Sequence, residues 1–159
     1  FCGLNQEQAE LGVQYYREYY SEKGLYEVIY YPGMNELLEK LNSEGKLLAV
    51  ATSKPEHFAT KLLEKTDMAK YFSHICGSLN SSRTTKAEVI EYALKTCNVS
   101  KLRSAVIVGD RKYDVLGAKK TGIDSIGVLF GYGSQEELEE AGATWIAETV
   151  EDIYSILST

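Results

Sequence analysis

Several things are scarce in this sequence, and each scarcity excludes something. The three cysteines, Cys2, Cys76 and Cys97, are odd in number, widely spaced and form no Cys-x-x-Cys pair. That usage fits reduced thiols in a cytoplasmic protein and offers neither a disulfide framework nor a thiolate zinc site. The two histidines, His57 and His74, have no ligand-like neighbours in sequence, which argues against zinc. No apolar run approaches the roughly 20 residues of a membrane-spanning helix, and no signal peptide is visible. Positive charge is short as well. With 17 Lys and Arg against 23 Asp and Glu, the net charge is −6, which leaves no basic face for nonspecific nucleic-acid binding. The chain also lacks an initiating methionine: it begins at Phe1, so something upstream is expected to have been removed or left out.

What is present is an ordinary globular composition, with 44% hydrophobic and 25% charged residues over a length of 159, enough for one domain with a sizeable core. Asn5 followed by Gln8 predicts a capping box, opening a helix through "QEQAELGVQYYREYYSEK" that stops at Gly24. Ala9, Val13, Tyr16 and Tyr20 share one face of it. Seven of the twelve tyrosines lie between Tyr15 and Tyr31. They read as a packing face for neighbouring helices; the alternative is that some line a pocket above a substrate. "YYPG" breaks the chain, and "MNELLEKLNSEG" is a short amphipathic helix closed by Gly45.

From there the grammar is regular. "KLLAVATS", "FSHICGS", "SAVIVGD", "SIGVLFG" and "TWIA" read as strands. The helices between and after them are "KPEHFATKLLEKT" with Pro55 near its first turn, "KAEVIEYALKTC", "KYDVLGAKKTG", "SQEELEEAG" and "VEDIYSILS". The polar "LNSSRTT" is a loop. Strands that alternate with helices and are apolar almost throughout predict an α/β fold, a Rossmann-like parallel sheet with helices on both faces. The boundary falls near Tyr31–Gly33, giving a helical segment over 1–31 and the α/β part over 32–159.

Ligands of open parallel sheets bind at the carboxyl ends of strands. There the sequence offers Thr52 and Ser53 after "LLAVA", Asp110 and Asp114 after "AVIVG", and Lys86 at the start of a helix. Singly, each has a plain explanation: Ser53 as a helix cap, Asp110 or Asp114 as a cap of the next helix, Lys86 as a solvated lysine. Together they make a coherent set. A hydroxyl and a lysine can grip a phosphoryl group, and paired carboxylates suit Mg2+, which takes oxygen ligands and retains waters.

Over nearly its whole length the chain resembles the haloacid dehalogenase-like phosphohydrolases, in particular the phosphoglycolate phosphatase-like branch. "LAVATSKP" resembles the family's second motif, "RTTKAEVIEYAL" its third and "VIVGDRKYD" its fourth. The resemblance implies that Thr52 and Lys86 are catalytic and that Thr52, Ser53 and Lys86 bind phosphate. It also implies that Asp110 ligates Mg2+ while Asp114 ligates the metal or orients its shell. Intervals of 34 residues from Thr52 to Lys86 and 24 from Lys86 to Asp110 fit one βαβ unit each.

The family's first motif, Asp-x-Asp-Gly followed by Thr or Val, supplies a nucleophile and a general acid/base. No Asp-x-Asp occurs here. The resemblance therefore implies a fragment: residues 1–31 as the later part of a helical cap, and a sheet without its central first strand. Such a fragment is expected to be inactive alone and to fold poorly unless the gap closes, the missing segment complements it or the chain self-associates. For the intact protein the expectation is a Mg2+-dependent phosphomonoester hydrolase working through a phosphoaspartate. Its partner would be a small phosphorylated metabolite, with no nucleic acid and no membrane. Phosphoglycolate, a nucleoside monophosphate and pyrophosphate all remain open. The rival readings are a non-catalytic phosphate- or Mg2+-binding module of the same fold, and a phosphomutase, dehalogenase or phosphonatase. A dinucleotide site is disfavoured because "GVLFGYGS" comes too late in the chain and has the wrong spacing.

Overall fold

The computed structural model describes residues 3–79 and 82–158. The expectations for the Cys2 thiol and for the middle of the "LNSSRTT" loop fall on Cys2, Asn80 and Ser81, outside the described residues. The chain divides into two compact units between Tyr30 and Tyr31. In the first, helix α1 (Gln6–Glu22) opens on the reciprocal box: Asn5 Oδ1 accepts from the Gln8 amide at 2.9 Å, and the Asn5 amide donates to Gln8 Oε1 at 3.1 Å. The helix ends two residues before Gly24, which instead opens a 3-10 turn, Gly24–Tyr26. Tyr16 and Tyr20 stack with centroids 5.6 Å apart, and the Tyr19 hydroxyl donates to Glu27 at 2.8 Å. No residue of α1 is buried.

The second unit runs α2 (Met34–Ser43), β1 (Ala49–Pro55), α3 (Glu56–Lys65), β2 (His74–Ser78), α4 (Lys86–Thr96), β3 (Val106–Gly109), α5 (Lys112–Thr121), β4 (Asp124–Val128), α6 (Gln135–Ala141), β5 (Trp145–Ala147) and α7 (Val150–Leu157). All strand pairs are parallel. Pro55, expected near the first helical turn, is the N-cap of α3 and at the same time closes β1. Side chains alternate across β4, so its two faces pack differently. Ile126 and Val128 join Leu37 and Leu41 of α2 and Val150 and Ile153 of α7. Gly127, on the other face, lies against Leu138 of α6. Helices thus cover both faces.

The strands form two sheets, β1–β2 and β3–β4–β5. The apolar core divides with them: a smaller cluster of Cys76, Val89 and Ala93 packs under β1–β2, separate from the cluster around β4. β1 and β3 border the split, and this changes their burial. β4 is buried from Ser125 to Val128, whereas β3 is only half-buried, with Val108 40% exposed, and β1 has no fully buried residue. Strands with uniformly apolar patterns are therefore not uniformly buried here: β1 and β3 have no strand beside them on the edge that faces the split. Between them lies an apolar cavity of about 820 Å3, lined by Val50, Ala51, Ile90, Val106, Ile107 and Ile153 among others.

Helices α4 and α5 pack on each other and so join the two halves. The start of α4 is fixed by a second capping box. Thr85 Oγ1 accepts from the Glu88 amide at 3.3 Å, and Glu88 Oε2 accepts from the amides of Thr84 and Thr85, each at 2.8 Å. Those bonds, from Thr85 first and then Thr84, hold the Glu88 carboxyl down at about 2 from its ordinary 4.5. A folded-state value below the unfolded one contributes stability above pH 4.5 that is lost as pH falls towards 2. In the full-length protein, Glu88→Gln should therefore cost stability at pH 6 and progressively less towards pH 3. Denaturation at both values checks this, and a loss independent of pH would contradict the cap.

Candidate active site

The site is built where the sheet halves end. On β1 the register with β2 slips: Ala51 pairs with Cys76 and Pro55 with Ser78, so two extra residues are accommodated on β1. Such bulges re-aim side chains next to functional sites. This one carries Thr52, Ser53 and Lys54. Thr52 Oγ1 accepts from the Lys54 amide at 3.1 Å, which leaves its own O–H as a donor. Ser53 is exposed and makes no cap, since the N-cap of α3 is Pro55 and no side chain caps that helix.

Lys86, first residue of α4, is not a solvated lysine. Its Nζ donates to the Ala51 carbonyl at 2.7 Å and pairs with Asp114 Oδ1 at 2.6 Å, the two side chains being 14% and 12% exposed. The ammonium thus bridges the end of β1 to the segment after β3. Two of its three N–H donors are engaged and one remains.

Asp114 also serves the helix-cap role. Its Oδ2 accepts from the Arg111 amide at 3.1 Å, and its carboxyl lies so close over Gly109 that a Cβ there would collide with it. Asp110, directly after β3, is gripped from the β4 side: its Oδ2 accepts from the Tyr132 amide at 2.8 Å, and a Cβ on Gly131 would overlap its side chain. Behind this turn Glu137 accepts from Arg111 Nε at 2.8 Å and from the Lys112 amide at 2.9 Å. The Arg111 guanidinium and that amide hold the Glu137 carboxyl below the usual carboxylate range, and Glu137 in turn raises Arg111.

Among the described residues no group of three or more His, Cys, Asp or Glu could enclose a metal ion. Two carboxylates are nonetheless a sufficient protein donor set for Mg2+, which is held by one or two carboxylates with waters and substrate phosphate. Asp110 Oδ1 accepts no hydrogen bond among the described residues, whereas both Asp114 oxygens are engaged. The donor set fits the metal, with Asp110 the more available ligand and Asp114 already tied to Lys86.

The sequence reading missed the loop after β4. "GVLFGYGS" reads there as the end of a strand and as a wrongly spaced dinucleotide fingerprint, yet its Gly131 and Tyr132 hold Asp110. The available signal was topological: β3 and β4 are adjacent and parallel, so their carboxyl ends must meet. The reading also passed over Glu56 and Arg83, which form a pair at 2.8 Å.

Comparison with known proteins bears on this arrangement. The profile of the haloacid dehalogenase-like hydrolases matches residues 3–128. A 5'-nucleotidase of Pseudomonas aeruginosa is 39% identical over 86% of this chain and 62% of its own. A phosphoglycolate phosphatase of Vibrio parahaemolyticus is 26% identical over 98% of this chain and 68% of its own. A Clostridium difficile crystal structure, provisionally described as a phosphatase, superposes with a TM-score of 0.91 at 50% identity, covering 97% of this chain and 72% of that one. The chain spans 53% to 62% of the length of the first curated relatives it matches.

The Lys86–Asp114 pair is largely buried, and removing one partner of such a pair leaves an uncompensated charge. Lys86→Met in the full-length protein should cost about 3 kcal/mol in chemical denaturation, and adding Asp114→Asn should return part of it. Equal losses in the single and double variants would contradict the pairing.

Proposed function

The chain belongs to the haloacid dehalogenase-like hydrolases, and on that premise we propose that it is the greater part of a Mg2+-dependent phosphatase acting on a small phosphomonoester. The observation that carries this reading is the Lys86 bridge. One ammonium group ties together the ends of β1 and β3, where Thr52, Ser53, Asp110 and Asp114 stand. Its third N–H is directed to a phosphoryl oxygen, joined by the Thr52 and Ser53 hydroxyls. Asp110, with Asp114 behind it, would hold Mg2+; bound there, the metal would neutralise charge on the transferring group. Lys86, held in place by the Asp114 carboxylate and the Ala51 carbonyl, acts as a fixed positive charge.

The attacking carboxylate is not among these 159 residues, which contain no Asp-x-Asp. We place it on a strand that fills the split between β1 and β3. The reading is supported by the apolar cavity there, by the half-buried strands on either side and by the greater length of the relatives. That strand would bring the nucleophile to the Lys86 bridge, and hydrolysis would pass through a phosphoaspartate. Residues 1–31 then belong to a helical cap, residues 32–159 to the catalytic core, and the 159 residues alone are inactive. The named activities of the relatives favour a nucleoside monophosphate or phosphoglycolate as substrate.

The test is phosphate release from both substrates by the full-length protein with Mg2+. Asp110→Asn should lower it by at least about 100-fold, since loss of even an outer partner of a metal ligand costs ~10–100-fold. Wild-type turnover in that variant would remove the metal assignment. Phosphate binding without turnover in the unaltered protein would favour a non-catalytic module instead.

A further inference from the structure

Arg83 has no part in the site as described, yet it is 6% exposed and tightly held. Its backbone closes a small loop with Leu79, through bonds of 3.0 and 3.1 Å. Its guanidinium lies 3.7 Å over the Tyr92 ring of α4, and Nη2 donates to Glu56 Oε2 at 2.8 Å. Its Nε is buried without a hydrogen-bond partner among the described residues. Glu56 is 32% exposed, so loss of Arg83 leaves its carboxylate in contact with water; a pair of this kind is a poor source of stability, and an apolar contact of similar shape would serve folding as well. What the arrangement does achieve is geometric.

Glu56 directly follows β1. The same Oε2 that pairs with Arg83 also accepts from the Gly77 amide of β2 at 3.1 Å. A Cβ on Gly77 would collide with the Glu56 backbone, so β2 lies directly against the start of α3. The far end of the Thr52–Lys54 bulge is therefore fixed by Pro55 pairing with Ser78 and by the Glu56 carboxylate on Gly77 and Arg83. The near end is fixed by Ala51 pairing with Cys76 and by its carbonyl on Lys86 Nζ. Arg83 and Lys86 stand three positions apart at one loop–helix junction. That junction clamps the bulge at both ends.

We propose that Arg83 is a positioning residue which, acting through Glu56, fixes the Thr52–Lys54 bulge so that its hydroxyls meet the phosphoryl group that Lys86 holds. This rests on the phosphate-binding role given above to Thr52 and Ser53. Misplacement by about 1 Å at such a site costs on the order of 100-fold in rate.

The experiment uses the full-length protein with p-nitrophenyl phosphate and Mg2+, reading kcat, KM and Tm. Arg83→Met should lower kcat/KM by about 10- to 100-fold, mostly through kcat, while Tm moves by less than about 4 °C, the shift of a ~1 kcal/mol change in a chain of this size. Glu56→Gln, which keeps the shape and an acceptor for Gly77, should reproduce the loss, and Arg83→Lys should recover part of it. In a Thr52→Val background, Arg83→Met should cost less than about 3-fold further, because the group it positions is gone. Full turnover in both Arg83→Met and Glu56→Gln, or a full additional loss in the Thr52→Val background, would overturn the proposal. If Thr52→Val alone leaves turnover unchanged, the phosphate role of Thr52 falls and the clamp with it. If Thr52→Val lowers turnover and the clamp variants do not, only the clamp falls.

Discussion

One lysine side chain spans a divided sheet. Lys86 reaches from the first turn of α4 to the Ala51 carbonyl on one half and to Asp114 on the other. Within the second unit the two halves have separate strand ladders and separate apolar clusters. Their carboxyl ends meet through this ammonium group and, behind it, through the packing of α4 on α5. The same contact that ties the halves together gathers every residue proposed to touch phosphate or metal. Stability and function therefore depend on one interaction. A substitution at Lys86 acts on both, so its effect on rate is read correctly only beside its effect on folding.

The split itself is the second organising fact. Parallel strands are stable when both faces and both edges are covered. β4 has that environment and is buried; β1 and β3 do not, and are half-exposed. Between them an apolar cavity of about 820 Å3 opens to solvent. A strand in that position would complete the ladder, join the two apolar clusters and set its own carboxyl end beside Lys86. Structural completion and supply of a nucleophile would then be the same event.

The elements, and the placement of the candidate site residues at one end of the sheet, were legible because the βαβ grammar is local. Apolar runs, glycine stops and capping boxes fix each strand and helix within a few positions, and the parallel arrangement then forces Thr52, Lys86, Asp110 and Asp114 to one end. What stayed hidden depends on pairings far apart in sequence. The Glu56–Arg83 pair spans 27 positions and the Asp110–Tyr132 bond 22, and no periodicity signals either. The half-burial of β1 and β3 is not legible in their apolar patterns, which record what a strand is suited to pack against; it agrees instead with the absent central strand that the family resemblance implies. The extension of β1 through Pro55 is a third case. The bulge moves that proline to the strand's last residue, where its missing N–H disrupts no central ladder.

The most direct test of the account is amide hydrogen exchange on the full-length protein, read at the β1 and β3 amides that face the split. The account predicts protection comparable to that of β4, because a strand between β1 and β3 accepts and donates along both edges. Rapid exchange at those amides, with β4 protected, would show that the edges stay unpaired and would contradict it.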